Sequence, residues 1–416
     1  MKLLLYLFLI SNFIFSQKVL IPMDNTQNDH LKAYGLVFWT LEKEIKVEWL
    51  LNYRNGSFLF NFNDLINKEA LIRGITYETI NITQLNEIYL IIENNNMDMI
   101  LLEKAPKIAV YSPKDKRPWD DAVTLALTYA EIDYELVFDK EVLTGELSKY
   151  DWLHLHHEDF TGQYGKFYKS QRHASWYKKQ ENDFKKIATE HGFKSVHNLK
   201  KAVAIKIKDY IIKGGFLFAM CSATDSFDIA LSAWNVDIAE SVFDGSPIDR
   251  NYQSKLDYSN SIAFENYSLY TNPMTYEFST IDFPPSHLPT FKGAEADYFT
   301  LFEFSAKWDQ VPTMLTQNHV SVINGFMGQT TGFNKDYLKK HVLIMGEDYL
   351  SNQAKYIHGN IGKGTFTFFG GHDPEDYKHL LGDPATDLSL HRNSPGYRLI
   401  LNNILFPAAK KKKRKT

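Results

Sequence analysis

Lys213-Gly-Gly-Phe-Leu-Phe-Ala-Met-Cys-Ser-Ala-Thr-Asp-Ser-Phe-Asp228 is the stretch on which the reading of this chain turns. Phe216 to Met220 is a short apolar run with the length of a buried strand. It ends on Cys221, the only cysteine in 416 residues. Small and polar residues follow, and Phe227, Ile229, Ala230 and Leu231 then read as a helix. α/β enzymes place nucleophiles where a strand turns into a helix, so Cys221 is either a nucleophile or the remnant of one.

Working outward, the chain from Pro106 alternates strand and helix. Lys107 to Tyr111, Tyr134 to Phe138 and Trp152 to His156 read as strands before Phe216 to Met220. Trp119 to Ala130, Leu143 to Ser148, Asp183 to His191 and Leu199 to Ile212 read as helices, with Asp120 or Asp121 in a first turn where a carboxylate suits the dipole. This rhythm predicts an α/β fold with a mostly parallel sheet and right-handed crossovers. Ligands in such sheets bind at the carboxyl ends of the strands, where Cys221, His156, His157 and Glu158 fall. Residues 232–335 break the rhythm and read as an insertion placed to cover the site, with β-like pieces at Ser305 to Trp308 and Val320 to Ile323. His341 to Met345 is a further strand. Ala354 to His358 and Thr365 to Phe369 form a hairpin around Gly362-Lys-Gly364, and the second arm runs into Gly370-Gly-His-Asp-Pro-Glu375. Pro395 to Leu405 is a closing helix.

The first hundred residues differ in kind. Lys18 to Pro22 is a strand and His30 to Lys43 has helical spacing. Val47 to Tyr53 and Ser57 to Phe60 flank Asn55-Gly56, a hairpin signal, and a helix follows around Ile82 to Glu93. The organisation expected is a signal peptide over 1–16, a small α+β module over 17–105, an α/β domain over 106–408 and a basic tail over 409–416. Met1-Lys2, the apolar run Leu3 to Phe15 and Ser16 make a cleavable secretory signal, which implies a periplasmic or secreted protein. A single cysteine excludes an intramolecular disulfide. The hydrophobic fraction of 44% supplies a full core, and the net charge of −4 points to no nucleic acid. The basic run Lys410 to Lys415 is a solvated end or a weak contact for an anionic membrane surface.

Two constellations could carry chemistry. The first is Cys221 with His372 and Glu375. An imidazole and a helix N-terminus favour a thiolate, Glu375 or Asp373 would orient His372, and N–H groups near Ser222 would form an oxyanion hole. The second is His154-Leu-His156-His157-Glu158-Asp159, in which residues 154 and 156 share a strand face. Two imidazoles and a carboxylate could bind zinc, contact substrate, or simply hydrogen-bond at the sheet edge.

Met220-Cys-Ser and Gly370-Gly-His-Asp-Pro-Glu375 resemble the motifs of class I glutamine amidotransferases. In that flavodoxin-like fold an elbow cysteine follows one strand and a His-Pro-Glu motif supplies base and orienter. The resemblance implies Cys221, His372 and Glu375 in those roles. Asp373 is an extra residue within the motif, and Ala219 and Ala223 stand near Cys221 where that family carries glycines. Gly362-Lys-Gly364, Gly371-His372 and Arg398 to Asn403 are similar to the trehalose-utilisation branch, which generally lacks the triad. Lys18 to Asp24, Asp29 to Gly35, Trp49 to Tyr53 and His154 to Gly162 resemble an exported bacterial family named asparagine synthetase B. The chain has neither an N-terminal nucleophilic cysteine nor a Ser-Gly-Gly-Leu-Asp-Ser loop, so synthetase activity is not expected.

Three readings follow. One is a hydrolase of amide or acyl bonds using Cys221, His372 and Glu375 and no cofactor. The second is a non-catalytic or carbohydrate-binding relative, with His156, His157, Glu158 and Ser222 against a small-molecule or glycan ligand. The third is a metal-dependent hydrolase using the His154 to Asp159 cluster.

Overall fold

The computed structural model describes residues 17–113, 120–282, 297–378 and 380–410. Residues 1–16, expected as a signal peptide, Trp119 and all of the basic tail after Lys410 lie outside the described residues.

Five short strands form an antiparallel sheet in the order β4-β1-β3-β2-β5. They are β1 (Lys18–Ile21), β2 (Val47–Leu51), β3 (Ser57–Asn61), β4 (Glu78–Ile80) and β5 (Asp98–Leu102). Strand alternation sends Leu20, Leu50 and Leu59 to one face, against Leu85, Ile88 and Ile92 of α3 (Ile82–Asn94). It sends Val19, Ile21, Trp49 and Phe58 to the other, into a core they share with α1 (His30–Glu42). Helix α2 (Asp64–Arg73) is not evident from the sequence, and neither are β4 and β5. Their runs are short and weakly periodic.

Helix α1 joins this sheet to the rest of the chain. Nearly all its residues are buried because it packs on α4 (Ala122–Ala130) as well as its own sheet. Gly35 permits the approach: a Cβ there would lie 1.8 Å from the Ala130 carbonyl oxygen. Arg398, on the closing helix Pro395–Leu405, is fully buried and donates to the carbonyl oxygens of Met23 (2.8 Å) and Asn55. Residues 17–105 thus share one core with the larger domain.

That domain is a mixed α/β structure around a second sheet. Its parallel part runs β7-β6-β8-β9-β15, from β6 (Ile108–Tyr111), β7 (Glu135–Val137), β8 (Trp152–Leu155), β9 (Phe216–Met220) and β15 (Gly364–Phe369). Numbered among themselves along the chain, these five strands lie in the order 2-1-3-4-5. Beyond β15 the sheet continues antiparallel through β14 (Gln353–Ile361), β13 (Leu343–Asp348), β10 (Tyr298–Leu301) and β11 (Val322–Asn324). The insertion therefore builds sheet as well as cover. Ser305 to Trp308, expected as β-like, is a turn instead: the Ser305 carbonyl accepts from the N–H groups of Trp308 and Asp309. The short helix expected over Leu143 to Ser148 is split at Gly145 (φ 86°) into an α-helical turn, Asp139–Leu143, and a 3-10 turn, Glu146–Lys149. Helices α5 (Ser175–Glu190) and α6 (Val196–Ile212) precede β9, and α7 (Ser222–Ser232) follows it. Among the described residues no helix is long and apolar enough to cross a membrane.

Candidate functional site

The carboxyl ends of β6, β8, β9 and β15 converge on one centre. The parallel register sets Phe369 opposite Met220, so the residues that follow each strand meet. The N–H of Cys221 donates to the Gly371 carbonyl at 3.1 Å. Gly371 sits at φ 93°, and a Cβ there would lie 2.3 Å from the Phe326 ring.

Cys221 occupies a strained turn. Its φ of 49° and ψ of −140° lie where an L-residue persists only if its surroundings enforce it, at a cost of about 1–3 kcal/mol. Here they are the end of β9, the start of α7 and the Gly371 contact. The sulfur points into protein and is 3% exposed. The Gln329 N–H donates to it at 3.3 Å. Burial pushes the thiol up to about 11, against the pull of the amide N–H groups of Thr330, Gln329 and Ser222. Gln329 and Thr330 belong to the insertion, which covers the elbow. Behind it, buried Asp225 accepts from the Thr330 hydroxyl at 2.9 Å, and burial moves its carboxyl up to about 7.

His372 points elsewhere. Its Nδ1 lies 3.1 Å from His156 Nε2, with the ring centroids 4.3 Å apart. His157 completes the group at 5.3 Å from His156 and 5.9 Å from His372, centroid to centroid. Asp120 Oδ1 stands 3.8 Å from His372 Nε2.

Glu375 does not orient His372. Its carboxylate lies 3.0 Å from His391 Nδ1. Asp373 accepts the Glu375 N–H at 2.9 Å and the Thr386 hydroxyl at 2.8 Å, forming a tight turn that carries Glu375 outward. The expected Cys221–His372–Glu375 assembly is thus split: Cys221 lies under the insertion, His372 joins His156, and Glu375 joins His391.

The carboxylate at the centre is Asp121. It caps α4 by accepting the Thr124 N–H at 2.8 Å. It also faces His156 Nδ1 at 3.5 Å and His154 Nε2 at 3.4 Å, at ion-pair distance without hydrogen-bond alignment. Burial would raise its carboxyl, but the two imidazoles hold it well below the usual carboxylate range. His154 is anchored through Nδ1, 3.1 Å from the Phe218 carbonyl. Residues 154 and 156 do share a face, as the strand alternation implies. In the sequence, Asp120 and Asp121 stand out only as partners of a helix dipole. The signal that promotes them is their place after β6, at the same sheet edge as the histidines.

Glu158 is buried beside this group and accepts the His156 N–H at 3.1 Å. Burial, helped by the negative Asp121, brings it up to about 7. Asp159 shapes the loop after β8 by accepting the N–H groups of Thr161, Gln163 and Gly165. His157, Glu158 and Asp159 line a small cavity of about 30 Å³ with Trp176 and Phe184. Trp176 and Phe184 also line a larger groove of about 890 Å³, which Phe138 and Lys140 border. Among the described residues, two sets of ligand atoms are close enough to hold a metal ion, His156 with His157 and His372, and Asp121 with His154 and His156.

No family model matches the chain, and no curated protein matches it either. Two solved structures of cytoplasmic proteins from Salmonella typhimurium are similar over 73% of this chain and all of their own. Their identities are 11% and 12%, each with a TM-score of 0.35. The GH42 β-galactosidase Gan42B overlaps 65% of this chain and 28% of its own, at 8% identity and a TM-score of 0.27. Overlaps this loose do not define a common fold.

Proposed function

We propose that this protein is an exported hydrolase of amide or acyl bonds on an amidotransferase-like, flavodoxin-like sheet. In this reading Asp121, His156 and His372 do the work that the sequence suggests for Cys221, His372 and Glu375. The strand order 2-1-3-4-5 is that of flavodoxin-like sheets, where ligands bind at the switch point between the first and third strands. Those strands are β6 and β8, which lead to Asp121 and His156.

The observation that carries the reading is the continuous line of contacts Asp121–His156–His372 at the carboxyl edge. A carboxylate stands behind one imidazole at ion-pair distance, and the second imidazole stands in contact with the first. Such a pair can take a proton from a water and return it to a leaving amine or alkoxide. General acid–base catalysis of this kind contributes about 10²–10⁴-fold. The cavity beside His157 and Glu158 has room for a water and would supply the centre from the His157 side. The aromatic groove at Trp176 and Phe184 suits a small molecule or a glycan.

A second reading keeps Cys221 as nucleophile, and its strained elbow favours it. It requires the segment bearing Gln329 and Thr330 to leave the sulfur.

The test is a panel of p-nitrophenyl esters and amino-acid p-nitroanilides with the mature chain. In the proposed reading His156→Gln and His372→Gln lower kcat/KM by about 100-fold or more, while Cys221→Ser stays within a few-fold. The opposite pattern overturns it in favour of the thiol. Fractionating cells that express the full chain tests export: the mature protein should start after Ser16.

A further inference from the structure

We propose that His156, His157 and His372 form a binding site for one divalent transition-metal ion of the zinc class, with Asp121 and Asp120 as its supporting carboxylates. In the hydrolytic centre proposed above, this metal would take over the activation of water from the His156–His372 pair, whose facing nitrogens would then be its ligands. It rests on that reading for its purpose, while its geometry stands separately.

Three features point to a metal. The first is spacing. Two imidazole nitrogens on one tetrahedral zinc sit about 3.3–3.4 Å apart, given Zn–N bonds of about 2.0–2.1 Å. His156 Nε2 and His372 Nδ1 are 3.1 Å apart, so a few tenths of an ångström separate the pair from ligand geometry. One ring nitrogen from each of His156, His157 and His372 lies within 4.8 Å of the other two, and His157 follows a strand end, where a ring can turn inward.

The second feature is the outer shell. Metal-bound histidines usually present their other ring nitrogen to a carboxylate, which fixes the tautomer and strengthens the ligand. His156 presents Nδ1 to Asp121 at 3.5 Å, and His372 presents Nε2 to Asp120 at 3.8 Å. The carboxylates and the facing nitrogens thus lie on opposite sides of each ring. Asp121 is itself held by the Thr124 N–H and by His154.

The third feature is an open side. The alternative set, Asp121 with His154 and His156, is buried at all three residues and leaves no room for a reactant. In the proposed set His157 is half-buried and lines the cavity with Glu158. A cavity of about 30 Å³ on the His157 side, lined by neither His156 nor His372, has room for a water. Catalytic zinc sites keep three protein ligands and such an open position. Three imidazoles select zinc, cobalt, nickel or copper over magnesium or calcium. The competing explanation is a plain N–H···N hydrogen bond between His156 and His372, which would bind no metal.

The experiment uses untagged mature protein, stripped with chelator and titrated with ZnCl₂ by calorimetry and with CoCl₂ by visible absorption. One equivalent should bind, and Co²⁺ should give the intense absorption of a four-coordinate site. His372→Gln and His157→Gln should abolish that spectrum and weaken Zn²⁺ binding by about 100-fold or more. Asp121→Asn should weaken it about 10–100-fold. Cys221→Ser should bind as the parent does. His157 is half-buried, so its variant is the one expected to fold, with circular dichroism as the check. Absence of stoichiometric binding by folded parent protein overturns the proposal, as does binding that survives His372→Gln. Metal binding by a folded protein that hydrolyses neither ester nor anilide leaves the site standing and sinks the hydrolytic reading. Hydrolysis that needs His156 and His372 in a protein that binds no metal sinks the metal alone.

Discussion

Alkylation of Cys221 by iodoacetamide separates a catalytic thiol from a buried remnant. The thiol is pushed up to about 11 by burial, so at pH 8 about 0.1% of it is thiolate. In the unfolded chain, near its ordinary value of about 8.5, the same thiol is about 24% thiolate at that pH. Thiolate fraction alone therefore makes the folded protein about 200-fold slower to react than the chain in urea. The cover over the sulfur slows it further, since reagent must wait for the Gln329 segment to open. The rate should climb about tenfold per pH unit from pH 7 to 10 with no plateau. Loss of free thiol by mass spectrometry, in folded and urea-unfolded protein side by side, gives both numbers. The linkage sign agrees. A thiol raised in the folded state contributes stability that is present below about pH 8.5 and lost as pH rises toward 11. That loss totals about 3 kcal/mol at about 1.36 kcal/mol per pH unit. A folded rate that plateaus near neutral pH, or exceeds the unfolded one, would refute this reasoning and restore Cys221 as an activated nucleophile.

Two further outcomes bear on the frame around the site. Gly35→Ala adds a Cβ at 1.8 Å from the Ala130 carbonyl; despite its better helix propensity it should destabilise by about 1–3 kcal/mol or more, read from the urea midpoint. His30 is brought down to about 4 by burial and by the positive Arg398, while its Nδ1–H donates to Asn393 Oδ1 at 2.9 Å. A depressed histidine contributes stability that is present above about pH 6.5 and lost as pH falls toward 4. At pH 5 that loss is about 2 kcal/mol for this group. Urea titrations at pH 8 and pH 5 should show His30→Asn losing about that much less than the parent over the interval, and equal losses would sink the assignment.

Most of the larger domain's elements are legible because their signals are local. Phe216 to Met220 is an apolar run of strand length, Gly362-Lys-Gly364 is a turn, and Pro395 to Leu405 has a proline at its start and an apolar stripe. Strand alternation also places His154 and His156 on one face. Elements whose burial comes from partners far along the chain are not legible. α2 has no apolar stripe strong enough to declare it, and β5 is a strand because β2 pairs with it.

The site divides along the same line. The sequence by itself determined which residues end the parallel strands, and so brought Cys221, His156, His157 and His372 to one sheet edge. Strand type and order follow from side-chain periodicity and chain continuity, which are properties of neighbouring residues. Only the tertiary structure decided which way those side chains face. A turn closed by Asp373 sends Glu375 to His391, the insertion seals Cys221, and a helix cap brings Asp121 up behind His156. The turn is local, but the other two depend on groups tens of residues or more apart meeting within hydrogen-bond or ion-pair distance, which no local pattern encodes.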